Sequence, residues 1–280
     1  MLYIPRQGLS IVQSNTTSTS AEFGVSVTAG GSAHTKNATY TELVTSTDYV
    51  SYGIMIGVGA VGDTASTNTR TLVDIAIGSA GNEIVIIPNL MAGQVGQSAS
   101  ASSQPCYYYF PIRIPSGVRL SATSQSVTAS DTVNVQIRLF QHPVPGQWYG
   151  QRVTAYGANT ANSTGTSHTH GNNSYATTTQ LSAATEAPIK YLQVGIDLLT
   201  DTTGNNKRGL LRIAAMASTN YIVSDLPFRE STTLESIDYS ICNFVLAQMA
   251  FDVPAASYLG VGATMNAAGE ARGFVLYGVD

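Results

Sequence analysis

Charge is what this sequence has least of. Only 11% of its 280 residues are Asp, Glu, Lys or Arg, against roughly 25% in ordinary soluble domains. The 13 Lys and Arg never form a run and the net charge is −4. Binding to nucleic-acid phosphates needs a clustered basic face, so that class of partner is excluded. Long apolar runs are missing too: the stretch from Gly53 to Gly62 is too short and too glycine-rich to span a bilayer. The opening Met1-Leu2-Tyr3-Ile4-Pro5-Arg6-Gln7 has neither a basic n-region nor an apolar h-region. The expectation is a protein made in the cytoplasm and not exported by a signal peptide. With two cysteines, Cys106 and Cys242, no disulfide scaffold holds the chain together. Catalytic signatures are absent as well. There is no G-x-S-x-G elbow, no H-E-x-x-H and no cysteine beside a base motif. The chain is therefore expected not to be an enzyme, and no catalytic, cofactor or metal residue is assigned.

What is present is apolar and uncharged-polar material. Apolar residues make up 43% of the chain, enough for a real core without disulfides. The surface must then come from Ser, Thr, Asn, Gln and Gly, which are cheaper to desolvate at a contact than Lys or Glu.

An internal repeat decides the architecture. Thr179 lies 138 residues after Thr41 (179 − 41), and a gap-free comparison at that offset keeps matching. Leu43 meets Leu181, Gly57 meets Gly195, Asp63-Thr64 meets Asp201-Thr202, and Arg70 meets Arg208. Leu72 meets Leu210, Ile75-Ala76 meets Ile213-Ala214, and Ile84-Val85 meets Ile222-Val223. Further on the register drifts, with Ile114-Pro115 opposite Val253-Pro254 and Ala122-Thr123 opposite Ala263-Thr264. Within each copy, short apolar runs such as Thr71 to Ile77 and the alternating Val133 to Leu139 read as strands, with Gly-, Ser- and Asn-rich turns between them. No window carries a capped helical stripe. The expected fold is all-β, with two tandem related β-sandwich (jelly-roll-like) domains. Residues 1–25 read as an N-terminal arm, 26–142 as the first sandwich and 143–150 as a Pro/Gly linker. Residues 151–280 read as the second sandwich, carrying a polar loop at 157–178. Edge strands with so few charges are expected to invite pairing with other chains.

Several motifs carry a chemical suggestion beside a plainer one. Gly57-Val58-Gly59-Ala60-Val61-Gly62 fits a dinucleotide fingerprint. That chemistry needs a helix next, however, and Asp63 to Asn68 reads as a turn, so no cofactor is expected. Cys106 and Cys242 sit at matching places of separate domains, so they are expected to stay unbonded to each other. His168-Thr169-His170 puts both rings on one side of an extended chain. Three such pairs around a threefold axis would offer six imidazoles to one transition metal; the plainer expectation is a polar loop holding two histidines. His34 and His142 show no partner pattern. Tyr107-Tyr108-Tyr109-Phe110 and Trp148-Tyr149 present aromatic faces of the kind sugars stack on, but alternate tyrosines of a strand face the core. Trp148, beside the linker, is expected to wedge the two domains together.

The stretch Tyr109-Phe110-Pro111-Ile112-Arg113-Ile114-Pro115-Ser116-Gly117-Val118-Arg119-Leu120 resembles a phrase of virion structural proteins of tailed bacteriophages, of head-decoration or tail type. The resemblance implies a structural protein of the particle, as capsid decoration, cement or tail component, acting through subunit contacts. It implies copies of itself and other virion proteins as partners, a trimer among the homo-oligomers, and a place in the virion. The alternative from another class is a carbohydrate-binding adhesion module, with Trp148 and Tyr149 as its platform, serving receptor binding on the same virion.

Overall fold

The computed structural model describes residues 11–14, 24–60, 70–92, 106–141, 148–198, 207–230, 245–246, 252–266 and 271–280. Among them there is no α-helix, only a 3-10 turn at Thr160–Asn162. The first half contributes β1 (Ile11–Ser14), β2 (Val25–Thr28), β3 (Thr41–Val44), β4 (Gly53–Ala60), β5 (Thr71–Ile77), β6 (Ile84–Met91), β7 (Cys106–Phe110), β8 (Leu120–Ser126) and β9 (Thr132–Phe140). The second contributes β10 (Val153–Tyr156), β11 (Ala158–Asn159), β12 (Thr164–Thr169), β13 (Gly171–Asn172), β14 (Thr179–Ser182), β15 (Tyr191–Leu198), β16 (Lys207–Ala215), β17 (Tyr221–Glu230), β18 (Val245–Leu246), β19 (Leu259–Met265) and β20 (Ala271–Val279).

Each half is a sandwich of two sheets. In the first, β1 and β2 both pair with β9, which leads to β4 and then β7; the facing sheet runs β3-β8-β5-β6. In the second, β10 and β12 both pair with β20, which leads to β15 and β18, and β14 and β13 both pair with β19, which leads to β16 and β17. The two orders map onto one another, and the interleaving of chain neighbours between facing sheets is that of a jelly roll. The all-β, duplicated reading of the sequence therefore holds.

The correspondence reaches details. Both copies shift register at matching places, between Glu42 and Val44 and between Gln180 and Ser182. The Thr47 hydroxyl donates to Pro115 O at 2.7 Å, and its counterpart, that of Thr185, donates to Pro254 O at 3.0 Å. Ile114 and Val253 bridge to Ser51 and Ile189, as the sequence comparison placed them. Two pairings need correction. Val85 lies opposite Ala76 and Tyr221 opposite Ala214, so the second hairpin is two residues shorter (85 − 76 against 221 − 214). Val85 therefore corresponds to Tyr221, and not to Val223. Likewise Ala122 faces Ile75 while Val261 faces Ile213, so Ala122 corresponds to Val261, and not to Ala263.

Residues 11–14, residue 25 and the 157–178 segment also differ from expectation, while residues 1–10 and 15–23 of the expected arm lie outside the described residues. Ile11 pairs with Phe140 and Val25 with Val135, so both short strands belong to the first sandwich. Val153 and Thr166 pair in the same manner with Val279 and Phe274. What reads as an arm and a loop supplies matching strands of the two copies. Residues 142–147, with most of the linker, lie outside the described residues.

The halves share a core. On β20, Phe274 and Leu276 point into the second sandwich, while Val275, Tyr277 and Val279 belong to the hydrophobic cluster of the first. Tyr191 and Val153 join that cluster, and Trp148 packs against it, under the Lys190 ammonium at 5.2 Å. Two polar side chains close the seam. Tyr277 Oη accepts from Met91 N–H and donates to Asn89 O, both at 2.9 Å. Gln193 Oε1 accepts from Tyr109 N–H at 3.1 Å, and its Nε2 donates to Tyr107 O at 3.4 Å. Each supplies what a neighbouring strand would, to β6 and β7, the end strands of the first sandwich. At these positions the two edges are capped from within the chain.

Candidate functional site

The second sandwich carries the chemistry that the first lacks. On β16, Leu211 and Ile213 turn into the core while Arg208, Leu210 and Arg212 turn outward. Leu210 lies between Pro227 of β17 and Thr264 of β19, and the Arg208 backbone bonds to Asn266. With Phe228 and Met265, these residues line a cavity of about 360 Å³. Gly209 is required beneath it: a Cβ there would lie 2.4 Å from the Phe228 ring and 2.5 Å from Thr264 O.

Farther along the outer face of β16 lies a charged stack. Arg212 lies 3.4 Å from the centre of the Tyr175 ring and 5.2 Å from that of Tyr221. Tyr175 Oη donates to Asp225 Oδ1 at 2.7 Å, and Arg212 Nη2 lies 3.6 Å from the same oxygen. Burial, aided by that carboxylate, pushes the Tyr175 phenol up to about 12. The hydrogen bond from Tyr175, first among several, holds the Asp225 carboxyl below its ordinary value. In the first sandwich the same bulge is built with the charges reversed. Asp74 takes the place of Arg212, accepts from Asn89 N–H at 2.7 Å and pairs with Lys36. Asn89 and Asp225 hold positive φ at 53° and 56°.

The histidine pair sits deeper. His168 is 1% and His170 3% exposed, with ring centres 5.5 Å apart, so the spacing does put both on one side. They are interior residues of the second sandwich, not members of a polar surface loop. His168 Nε2 accepts from Ala263 N–H at 3.0 Å, which leaves Nδ1–H to donate to Thr179 Oγ1 at 2.8 Å. His170 lies against Phe228 and Phe274 with no hydrogen-bond partner for either ring nitrogen among the described residues. Arg272, opposite His168 on β20, is also 1% exposed. The first sandwich makes the matching cross-strand pair from Val27 and Val133, so the fold itself does not require these polar groups. Rings enclosed in this way cannot meet two further pairs on a threefold axis. Among the described residues no three His, Cys, Asp or Glu cluster as a metal site.

The other residues singled out in the sequence are placed as follows. Gly57 to Ala60 end β4, and positions 61–62 lie outside the described residues. Cys106 is a buried thiol, while Cys242 and His142 lie outside the described residues. Tyr108 and Phe110 face the core and Tyr109 the seam. Trp148 and Tyr149 are half-buried, Tyr149 against Tyr52 at 5.4 Å, and neither borders the cavity. His34 Nδ1 bonds to Ser163 Oγ at 3.1 Å across the halves. Sequence reasoning missed Arg208, Arg212 and Asp225. Its one available signal was a charge at matching positions inside two apolar runs, Val73-Asp74-Ile75 and Leu211-Arg212-Ile213.

No protein-family model matches the chain, and no curated protein matches it. Among solved structures it is similar to PNGF-II, at a TM-score of 0.41 and 10% identity over 96% of this chain. The match spans 65% of the PNGF-II chain. It is also similar to N-glycanase F (TM-score 0.31, 8% identity, 90% of this chain and 94% of that one). The tandem CBM22-1-CBM22-2 domain of Paenibacillus barcinonensis Xyn10C matches at 0.25 and 12% over 98% of both chains. One expectation is corrected here. The view that the chain is not an enzyme rested on missing sequence motifs, yet the structures it is similar to include N-glycanase F, an enzyme. Paired carboxylates meet only in the fold, so their absence from the sequence excluded nothing. The exclusion is withdrawn, and the likeness by itself assigns no reaction.

Proposed function

We propose that the chain is a structural component of a bacteriophage particle that works through contacts with copies of itself and with other virion proteins. One observation carries this reading. Large exposed apolar side chains fall on the same hairpin of both copies: Ile84 (66%) and Val85 at the start of β6, Met216 just after β16 and Tyr221 at the start of β17. Single exposed apolar residues need no explanation, but exposed apolar residues recurring on the same hairpin of each copy, with Val85 and Tyr221 at corresponding positions, suit a contact surface. The low charge of the chain supports the same view, because few side chains there would resist desolvation. A trimer loses the support it drew from the histidine pair.

The test is light scattering on the full chain across micromolar concentrations, beside sedimentation with purified particles. Self-association, or particle binding at fixed copy number, is expected, and Ile84→Ser with Met216→Ser weakens it at least about tenfold. A protein that stays monomeric and off the particle, or a double variant that associates as well as the parent, refutes the proposal.

A further inference from the structure

We propose that the cavity on the outer face of the second sandwich binds an acidic sugar residue, its carboxylate held by Arg208. The inference is independent of the assembly reading. Three arginines are answered by acids: Arg119 by Glu42 and Glu83, Arg152 by Asp280 and Glu186, Arg212 by Asp225. Among the described residues no carboxylate pairs with Arg208, which is exposed at the cavity. A guanidinium is shaped for a bidentate carboxylate.

The rest of the lining suits a sugar ring rather than a bare anion. The Asn266 carbonyl oxygen accepts from Arg208 N–H at 3.0 Å, which leaves the amide nitrogen to donate. The Thr264 hydroxyl donates to Gly171 O at 3.2 Å and retains its lone pairs. Leu210, Pro227 and Phe228 give an apolar wall for the C–H face of a pyranose. About 360 Å³ lies within the roughly 300–1,000 Å³ of small-ligand pockets. Two contacts fasten residues 173 to 175 beside the cavity: Asn173 N–H donates to Met265 O at 2.8 Å, and Arg212 stacks on Tyr175. The first sandwich has no such site. There Leu72 and Met91, at the places of Leu210 and Pro227, are 0% and 2% exposed, and Met91 N–H is taken by Tyr277.

The experiment titrates the full chain with D-glucuronate, D-glucose and inorganic phosphate, read by calorimetry or amide chemical shifts. Glucuronate is expected to bind in the millimolar range, about tenfold or more tighter than either glucose or phosphate. Arg208→Gln, at an exposed position, is expected to weaken glucuronate about tenfold with an unchanged circular-dichroism spectrum. Three results overturn the proposal: glucose or phosphate binding as well as glucuronate, no binding of glucuronate, or an Arg208→Gln variant of parental affinity. Glucuronate binding that fades as protein concentration rises would give the face to a second copy of the chain, and overturns it too.

Discussion

His170 is enclosed by aromatic rings, and its environment refuses a proton. Burial first, then the Arg272 charge and His168, lower it to about 3, and burial lowers His168 as well. In the unfolded chain both rings titrate near 6.5. Between about pH 3 and 6.5 the unfolded chain therefore binds protons that the folded chain does not. Stability is whole above that window and falls as pH drops through it, each tenfold gap in proton affinity being worth about 1.4 kcal/mol. The expected outcome is a urea midpoint markedly lower at about pH 5 than at pH 7. His170→Leu should narrow that gap while leaving the pH 7 midpoint unchanged or raised, because an apolar side chain of similar size leaves no buried nitrogen without a partner. Equal losses in variant and parent would refute it. The residue pattern behind this site was half legible. Ser167 and Thr169 are exposed and His168 and His170 buried, a strict alternation, but with histidine as its inward member it reads as a polar loop.

Among the elements, β6 and β7 show how few charges are needed to guard an edge. Tyr277 satisfies one donor and one acceptor of β6, and Gln193 one of each on β7. Tyr277→Phe and Gln193→Leu keep the volume and strip the partners, so each should cost about 1–3 kcal/mol through buried backbone groups left unpaired. Urea melts of the two variants check this, and parental midpoints in both would refute it. The matching strand β17 needs no such cap where Met91 is replaced by Pro227, which has no N–H to offer. Long strands with β-branched or leucine alternation, such as β5, β9 and β16, were readable from sequence. β1 and β12 were not, because Ile11-Val12-Gln13-Ser14 does not alternate, Thr164 to Thr169 carries no apolar stripe, and only pairing with β9 and β20 orders them. The mispairing of Ile84-Val85 follows from the shortened hairpin, since a gap-free comparison cannot follow a two-residue deletion.

At the scale of the whole molecule, the seam makes two sandwiches one folding unit. Val275, Tyr277 and Val279 occupy one face of β20 and Phe274 and Leu276 the other, so a single strand serves both cores. The run Phe274-Val275-Leu276-Tyr277 is apolar on both faces, which is the sequence signature of a strand buried on both sides. Tyr191 and Val153 add to the first cluster from the second half. Each such side chain is worth roughly 1.5–3 kcal/mol when buried, so the five together are on the order of 10 kcal/mol. A whole domain is stable by about 5–15 kcal/mol. Opening one sandwich alone would forfeit a sum comparable to the stability of either. The expected outcome is one calorimetric transition whose measured enthalpy equals the van't Hoff enthalpy. Residues 1–141 made alone, which keep β1 on β9, should show no cooperative melt, because the missing seam leaves Tyr108, Phe110 and Met91 without the Tyr277 and Gly195 surfaces that cover them. Two resolved transitions in the full chain, or an isolated first half that melts as sharply as the parent, would show that the duplicated sandwiches are joined without being coupled.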